Sequence, residues 1–324
     1  QTVTFNGQNS IALVAGQLAT ASGNCGTPTL SLSPNGGVIT CLQLGQVVPV
    51  TGTAAYAGNN TASCTSNITV AGLPCGWSQN PNGVNCANGS SIAYNSGTGV
   101  WTATSTNCFY GPGFTSDAMA FAQRTLCGDG SITAQVTSIN GSGWAGVVMR
   151  ESNAAGAKKA QLMTNLSNFS RREFRTVTNA AAQPQQFPSQ YRYWLRLVRA
   201  GNQFSMFVSP NGMAWYLVGT QNIVMGNCIQ MGLVATNYTS NSTVTATFAN
   251  VSYSESNTSS LVQAPSLMLQ AASEGEPVQL DFGVYPNPTT GELNIDLAAY
   301  AGRAVRIELY SADGKLLKFS EVNE

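Results

Sequence analysis

The sequence restricts the fold most strongly between residues 191 and 219, where it reads YRYWLRLVRAGNQFSMFVSPNGMAWYLVG. Within this stretch Leu195 and Leu197 fall on one face of an extended chain, and Arg196 falls on the other. A period of two is typical of a half-buried antiparallel strand. The runs AGN and PNG supply residues that tight turns prefer, and they divide the stretch into three. We therefore predict a three-stranded meander whose apolar face needs a second sheet to cover it.

The composition of the whole chain agrees with an all-β fold. It contains 33 Gly and 13 Pro among 324 residues, and charged residues make up 9%. Together with the short alternating runs, this mixture favours β-modules over helices, and the length is sufficient for several domains. Hydrophobic residues at 43% are enough to bury a core, which argues against a disordered chain.

Charge is distributed unevenly along the sequence. No Asp, Glu, Lys or Arg precedes Asp117, residues 117–254 hold ten basic and four acidic side chains, and residues 255–324 hold four basic and ten acidic ones. The neutral first third cannot attract a polyanion, so we predict no nucleic-acid partner. Two interpretations of this neutral surface stay open. It is either the solvated Asn- and Thr-rich surface of a secreted module, or a surface that packs against further copies or neighbouring surface proteins.

Eight cysteines indicate an oxidising compartment. They lack the short paired spacing of a zinc ribbon and the chain has no His, so we predict no metal site and no cofactor. An even number of cysteines spread over β-modules predicts disulfides outside the cytoplasm. The connectivity does not follow from the sequence, and the two pairs we expect are Cys41–Cys64 and Cys127–Cys228. The candidates are Cys25, Cys41, Cys64, Cys75, Cys86, Cys108, Cys127 and Cys228.

Residues 1–72 contain the runs NCGTPTLSLSPNGGVITCLQLGQ and GNNTASCTSNITV. This pattern resembles the immunoglobulin-like repeats of hyalin type in very large surface proteins of Bacteroidota. Cys25, Cys41 and Cys64 stand where those repeats carry cysteines. The repeats usually have a further cysteine near their first strand, and none precedes Cys25 here. The resemblance therefore implies an immunoglobulin-like sandwich that is cut at its N-terminal edge, or one in which Cys25 pairs into the next module.

Residues 73–254 form the second predicted domain. Gly146, the run MRES at 149–152, the run YWL at 193–195 and the closing ATF at 246–248 are its landmarks. This pattern resembles the concanavalin/laminin-G-like jelly rolls that are appended to many secreted bacterial glycosidases and adhesins. The resemblance implies a jelly-roll sandwich of two antiparallel sheets.

The C-terminal part consists of a predicted linker at 255–276 and a small domain at 277–324. The run YPNPTTGELNID in that domain closely resembles the type A C-terminal sorting domain of type IX secretion cargo in Bacteroidota. The resemblance implies a small β-sandwich that is recognised by the type IX secretion machinery. Because the family normally continues into another strand pair, we expect this copy to be truncated at Glu324. The residues that carry the motif are Tyr285, Pro286, Asn287, Pro288 and Gly291.

The sequence offers little support for catalysis. Nucleophilic catalysis with a His base is excluded because the chain has no His. Glycoside hydrolysis needs two carboxylates that face one cleft, and the second domain has few acids to supply them. Asp129, in the run CGDG, is either a turn residue or a calcium ligand, and no dense acid cluster accompanies it. We therefore predict a protein that is not an enzyme.

Two groups of residues are weak candidates for glycan binding. Arg171, Arg172 and Arg175 form the one basic cluster, which either contacts an anionic glycan or lies on a solvated strand edge. Trp194 and Tyr216 offer ring faces that suit a pyranose, although a place in the sandwich core is the alternative for each. Trp194 is the better candidate for exposure because it shares a strand face with Arg196.

These observations predict a protein at the outer-membrane cell surface or in the extracellular space. No apolar run approaches the ~20 residues of a membrane-spanning helix, so we predict no transmembrane segment. We expect a non-enzymatic adhesin, or a filament or matrix subunit, that acts through self-association or contacts with its neighbours. One alternative is a carbohydrate-binding accessory region of a larger secreted glycosidase or adhesin. Another is passenger cargo that only occupies the secretion machinery.

Overall fold

The structure is a computed structural model that describes residues 1–18, 27–80, 83–86, 89–109, 113–167, 169–189 and 193–255, and four short segments at 283–285, 294–296, 305–310 and 316–322. By its internal contacts the chain divides into two compact units, Gln1–Ser259 and Ser260–Glu324. The predicted domain boundaries within these units stay predictions. No helix in the described part of the chain is long and apolar enough to cross a membrane.

The first 72 residues contain short strands and one four-residue helix. They are β1 Thr2–Phe5, β2 Ser10–Ala12, α1 Ala15–Leu18, β3 Thr29–Ser33, β4 Val38–Thr40, β5 Val47–Ala55 and β6 Thr61–Gly72. One sheet has the order β1-β6-β5-β3, and β2 pairs separately with β4. Alternation in β5 buries Val48 and Val50 and leaves Val47 exposed, so one face of the sheet covers a small core. The immunoglobulin-like assignment of this region stays a prediction.

The next part of the chain is a large β-sandwich. Its strands are β7 Ser78–Gln79, β8 Ser91–Asn95, β9 Val100–Thr106, β10 Ala120–Cys127, β11 Gly130–Asn140, β12 Gly143–Arg150, β13 Lys159–Thr164, β14 Phe169–Arg175, β15 Gln183–Pro188, β16 Trp194–Ala200, β17 Gln203–Ser209, β18 Tyr216–Asn222, β19 Cys228–Asn237 and β20 Thr243–Glu255. Sheet I has the order β15-β14-β13-β12-β19-β10-β7, and sheet II has the order β18-β17-β16-β11-β20-β9-β8. Both sheets contribute to one hydrophobic core. The prediction of an all-β fold with a sandwich of two sheets is confirmed.

The meander predicted from residues 191–219 is present as β16, β17 and β18, which lie side by side at one edge of sheet II. Leu195 and Leu197 are completely buried, as their alternation predicted, and each such side chain contributes about 1.5–3 kcal/mol. The first strand begins at Trp194, and Tyr191 and Arg192 lie outside the described residues.

Close packing inside sheet I depends on a glycine. Gly146 of β12 lies opposite Met163 in the neighbouring strand β13. A Cβ at this position would collide with the main-chain carbonyl oxygen of Leu162. Since a backbone atom cannot move aside as a flexible side chain can, this landmark glycine has a packing role.

Among the residues that the structure describes, three disulfides join parts of the first unit. Cys127–Cys228 connects adjacent strands β10 and β19, as predicted, and Cys86–Cys108 is the second bridge. The predicted pair Cys41–Cys64 is wrong, because Cys41 is bonded to Cys75 at a Cα–Cα distance of 5.3 Å. Cys41 lies in the small core below the first sheet, and Cys75 packs against that core. Cys64 is exposed on β6 and is the free cysteine among those that the structure describes. Cys25 lies outside the described residues.

The second unit contains four described strands: β21 Gly283–Tyr285, β22 Asn294–Asp296, β23 Val305–Tyr310 and β24 Leu316–Val322. β21 pairs antiparallel with β22, and β23 pairs antiparallel with β24. Tyr285 of the predicted sorting motif is the last residue of β21. The other four motif residues lie outside the described residues, and they are Pro286, Asn287, Pro288 and Gly291.

Candidate functional site

Six charged side chains form a buried network on the face of sheet I that points away from the core, which we call the ion cluster. Alternation along β13 and β14 places the apolar side chains of Ala160 and Leu162 in the core. The charged side chains that these strands contribute to the cluster lie on the opposite face. The ion cluster consists of Asp117, Arg150, Lys159, Arg171, Glu173 and Arg175, each at most 1% exposed.

Asp117 is the centre of the ion cluster because three cations contact its carboxylate. Arg150 Nη2 lies 2.9 Å from Oδ2, and Lys159 Nζ and Arg175 Nη2 lie 2.9 Å and 2.7 Å from Oδ1. Burial alone would raise the pKa of Asp117. The charge of Lys159, the hydrogen bond from Arg175 and the charges of Arg150 and Arg175 outweigh burial, so the pKa is lowered from its ordinary value. This carboxylate is therefore ionised and committed to its partners at neutral pH.

Other contacts of the ion cluster join neighbouring strands and hold loops against the sheet. Lys159 Nζ also lies 2.5 Å from Glu173 Oε1, and Arg171 Nη2 lies 2.7 Å from Glu173 Oε2. Arg175 donates from Nε to the carbonyl oxygen of Ala180 and from its terminal nitrogens to further carbonyls in two other loops. Those acceptors are the carbonyl oxygens of Phe114, Ala155 and Ala157. The geometry assigns the ion cluster a structural role.

This arrangement corrects one interpretation of the basic run at 171–175. β14 lies between β13 and β15, so it is an inner strand of sheet I. The interpretation of this run as a solvated strand edge is therefore wrong. Arg171 and Arg175 are buried, while Arg172 points to the other side of the sheet and donates from Nε to Gln185 Oε1 at 3.0 Å. The structure therefore does not bring the three arginines together on one surface. Their role in glycan binding stays a prediction.

The aromatic candidates of the meander lie on sheet II. Trp194 is half-buried, and the backbone at Gly212 packs against its indole ring. Arg196 shares that face, as predicted, and its guanidinium lies 4.0 Å from the ring centroid of Trp215. Tyr216 is 46% exposed at the start of β18. The glycan-binding role of Trp194 and Tyr216 stays a prediction.

A different aromatic group lines a cavity of about 420 Å³ beside β8 and β9, which form one edge of sheet II. We call it the aromatic pocket. Four rings line it: Trp77 and Trp101, which are buried, Tyr94, which is half-buried, and Tyr253, which is 45% exposed. The other lining residues are Pro74, Cys75, Thr98, Gly99, Ala249, Asn250 and Val251. Its size lies within the range of about 300–1,000 Å³ that is usual for small-ligand sites.

The rings of the aromatic pocket contact one another in series. The ring centroids are 4.9 Å apart between Tyr94 and Trp101, 4.8 Å between Trp101 and Trp77, and 6.3 Å between Trp77 and Tyr253. The guanidinium of Arg124 lies 3.3 Å from the centroid of Tyr253. These contacts orient the rings, so the wall that they form does not depend on a ligand to assemble it.

Polar contacts fix the rim of the aromatic pocket. Asn95 Oδ1 accepts hydrogen bonds from the main-chain nitrogens of Gly97 and Thr98, which shapes the turn between β8 and β9. Asn250, which also lines the pocket, has a φ of 51°, a conformation that Asn tolerates better than most residues. Its Nδ2 donates to Gln135 Oε1 at 2.8 Å. The wall at Pro74 and Cys75 is held by the disulfide to Cys41.

Sequence reasoning missed this pocket. Its rings come from β8, β9, β20 and the segment before β7, so no local run unites them. The sequence offers Trp77 in the run PCGW at 74–77, but nothing near that run shows which rings lie beside it in the fold. Among the described residues, no charged side chain lines the pocket.

Comparison with protein families identifies one part of the chain. Residues 283–324 match the family described as "Secretion system C-terminal sorting domain". The predicted sorting domain is thereby confirmed. It marks the chain as cargo of the type IX secretion system and as a secreted or cell-surface protein.

Solved structures are similar to this chain only at a low level. A functionally unknown protein from Saccharomyces cerevisiae is 15% identical over 55% of this chain and 95% of its own, with a TM-score of 0.42. The carbohydrate binding module CBM66 from Bacillus subtilis is 17% identical over 55% and 94%, with a TM-score of 0.35. A prokaryotic beta-1,3-1,4-glucanase from a mouse hindgut metagenome is 12% identical over 55% and 90%, with a TM-score of 0.36. We base no function on these likenesses. Comparison with curated proteins gives no match.

Proposed function

We propose that this chain is a non-enzymatic adhesin or matrix subunit that the type IX secretion system delivers to the cell surface. The sorting domain accounts for delivery, and the β-sandwich supplies the contact surface. Self-association and contacts with neighbouring surface proteins or glycans are the interactions that such a subunit uses.

The observation that carries this proposal is that the carboxylates of the sandwich form ion pairs or hydrogen bonds with other residues of the chain. Asp117 and Glu173 are buried in ion pairs with cations of the ion cluster. At the surface, Glu151 pairs with Lys158, and Asp129 accepts a hydrogen bond from the main-chain nitrogen of Gly201 at 2.6 Å. Glu255 accepts two hydrogen bonds from Arg124, at 2.9 Å and 2.7 Å. Acid–base catalysis needs a carboxyl group within reach of a substrate, and these contacts favour binding over turnover.

A carbohydrate-binding role is the second candidate function, and the aromatic pocket is the observation that favours it. An apolar ring face with a polar tip suits a sugar ring. This role is compatible with the first, since an adhesin needs a ligand. It also applies where the chain is an accessory region of a larger secreted glycosidase.

The proposal predicts contact without turnover. The purified full chain, incubated with neutral and acidic polysaccharides, should release no reducing ends above the buffer rate. Added to cells that produce the native protein, the same preparation should inhibit their attachment to glass and to each other, because soluble copies occupy the contact sites. Reducing-end release that rises in proportion to protein concentration would contradict the non-enzymatic assignment. Unchanged attachment at saturating protein would contradict the adhesive one.

A further inference from the structure

We propose that the aromatic pocket binds the neutral hexopyranose units of a polysaccharide. This inference deepens the proposed function, on which it rests, by giving the adhesin a ligand class and a binding site. The site is separate from the residues that the sequence singled out, Trp194 and Tyr216 on sheet II.

The chemistry of the lining selects the ligand class. Tyr94 and Tyr253 offer accessible ring surface beside the buried indole rings of Trp77 and Trp101, and the apolar C–H face of a pyranose is the sugar surface that matches such an aromatic wall. Thr98, Asn250 and the two tyrosines add hydroxyl and amide groups that can exchange hydrogen bonds with sugar hydroxyls. Such a combination of an apolar wall with a few polar groups is typical of small-ligand sites.

The electrostatics favour a neutral sugar over an acidic one. The closest cation to the exposed ring is Arg124, which stacks on Tyr253 and donates from Nε and Nη2 to Glu255 Oε1. Because its charge is matched by this carboxylate, it leaves little attraction for a uronate or a sulfate. The described residues that line the pocket are themselves uncharged.

The burial and the contacts of the lining residues also suit binding. Trp77 and Trp101 are 2% and 3% exposed and belong to the sandwich core, so they form a rigid floor. Tyr253 is accessible at the rim, and Arg124 holds its ring. A preorganised aromatic wall binds with a smaller loss of conformational entropy than a flexible one.

The test compares two exposed tyrosines. Tyr253 is 45% exposed at the pocket, and Tyr238, which follows β19 and does not line the pocket, is 51% exposed, which makes Tyr253→Ala and Tyr238→Ala a matched pair. The full chain is titrated with soluble laminarin, mannan and galactan, and with alginate and pectate as acidic counterparts. Binding is followed by tryptophan fluorescence and by affinity electrophoresis. We expect at least one neutral polysaccharide to bind and to shift the fluorescence of the pocket tryptophans.

The variants decide where that polysaccharide binds. Tyr253→Ala should weaken its binding by about tenfold or more, as loss of an aromatic anchor does, while Tyr238→Ala should leave it unchanged. Tyr253→Phe keeps the ring and should retain most of the affinity, which separates the contact of the ring from that of its hydroxyl. Equal thermal unfolding of Tyr253→Ala and the native chain shows that the loss of affinity is not a loss of folding. Equal binding by Tyr253→Ala and the native chain would overturn the inference. So would a preference for alginate or pectate that salt abolishes.

The attachment assay separates this inference from the proposed function. If no neutral polysaccharide binds but the chain still inhibits cell attachment, the ligand class is wrong and the adhesive function stands. If Tyr253→Ala loses polysaccharide binding while the native chain has no effect on attachment, the pocket stands and the adhesive function fails.

Discussion

Replacement of Asp117 by Asn is expected to lower the free energy of unfolding by about 3–5 kcal/mol, the usual cost of removing one partner from a buried ion network. Arg150, Lys159 and Arg175 all contact this carboxylate and are completely buried. An amide of nearly equal size cannot neutralise them, so their charges remain in a medium of low polarity. Chemical denaturation of the full chain, followed by tryptophan fluorescence, measures the loss.

Asp129→Asn is the matched control for this substitution. Asp129 is exposed at a turn and accepts a hydrogen bond from the main-chain nitrogen of Gly201, so its replacement should cost about 1 kcal/mol or less. If Asp117→Asn were no more destabilising than Asp129→Asn, the ion cluster would not hold the loops against sheet I, and its structural assignment would be wrong.

The same carboxylate predicts how stability changes with pH. The pKa of Asp117 is lower in the folded chain than its ordinary value, so between the two values the unfolded chain binds more protons. Its contribution is therefore fully present at neutral pH and is lost as the pH falls below about 4, the ordinary value for Asp. The native chain should lose stability in this acid range more steeply than Asp117→Asn does.

Deletion of residues 283–324 is expected to abolish surface display. These residues match the secretion system sorting domain, and without them the chain lacks the signal that the outer-membrane machinery recognises. The truncated chain should accumulate in the periplasm with the three described disulfides formed, since the six cysteines of these bridges lie in the first unit. Protease accessibility on intact cells and immunoblots of cell fractions measure both results.

Export of the full chain with Tyr216→Ala serves as the control, because this exposed substitution leaves the tail intact. A periplasmic reporter fused to residues 283–324 tests whether the tail is sufficient. Normal display of the truncated chain would show that the export signal lies elsewhere.

The fold was predictable where local alternation decided it. Leu195 and Leu197 alternate with Arg196 between two turn sequences, and this pattern is enough to define a strand with one buried face. The disulfide between Cys127 and Cys228 was predictable as a pair, but the partner of Cys41 was not. That choice depends on Cys64 facing solvent on β6 while Cys75 faces the core, and sequence spacing carries no information about it.

The sites were harder to predict because their members meet only in the folded chain. Four of the five residues at 171–175 are charged, which normally indicates a solvated face. Arg171, Glu173 and Arg175 are nevertheless buried, because Asp117, far away in sequence, joins their network as a counter-charge to Arg175. The aromatic pocket joins Trp77 to Tyr253 across most of the first unit, so no window of sequence contains both walls.

The central claim is that the β-sandwich is the contact surface of an exported, non-catalytic protein. Its most direct test is the attachment of cells that produce either the full chain or a chain without residues 78–255, both carrying the sorting domain and both verified at the surface. We predict that cells with the shortened chain attach no better than cells that lack the protein. Equal attachment by the two strains would contradict the claim.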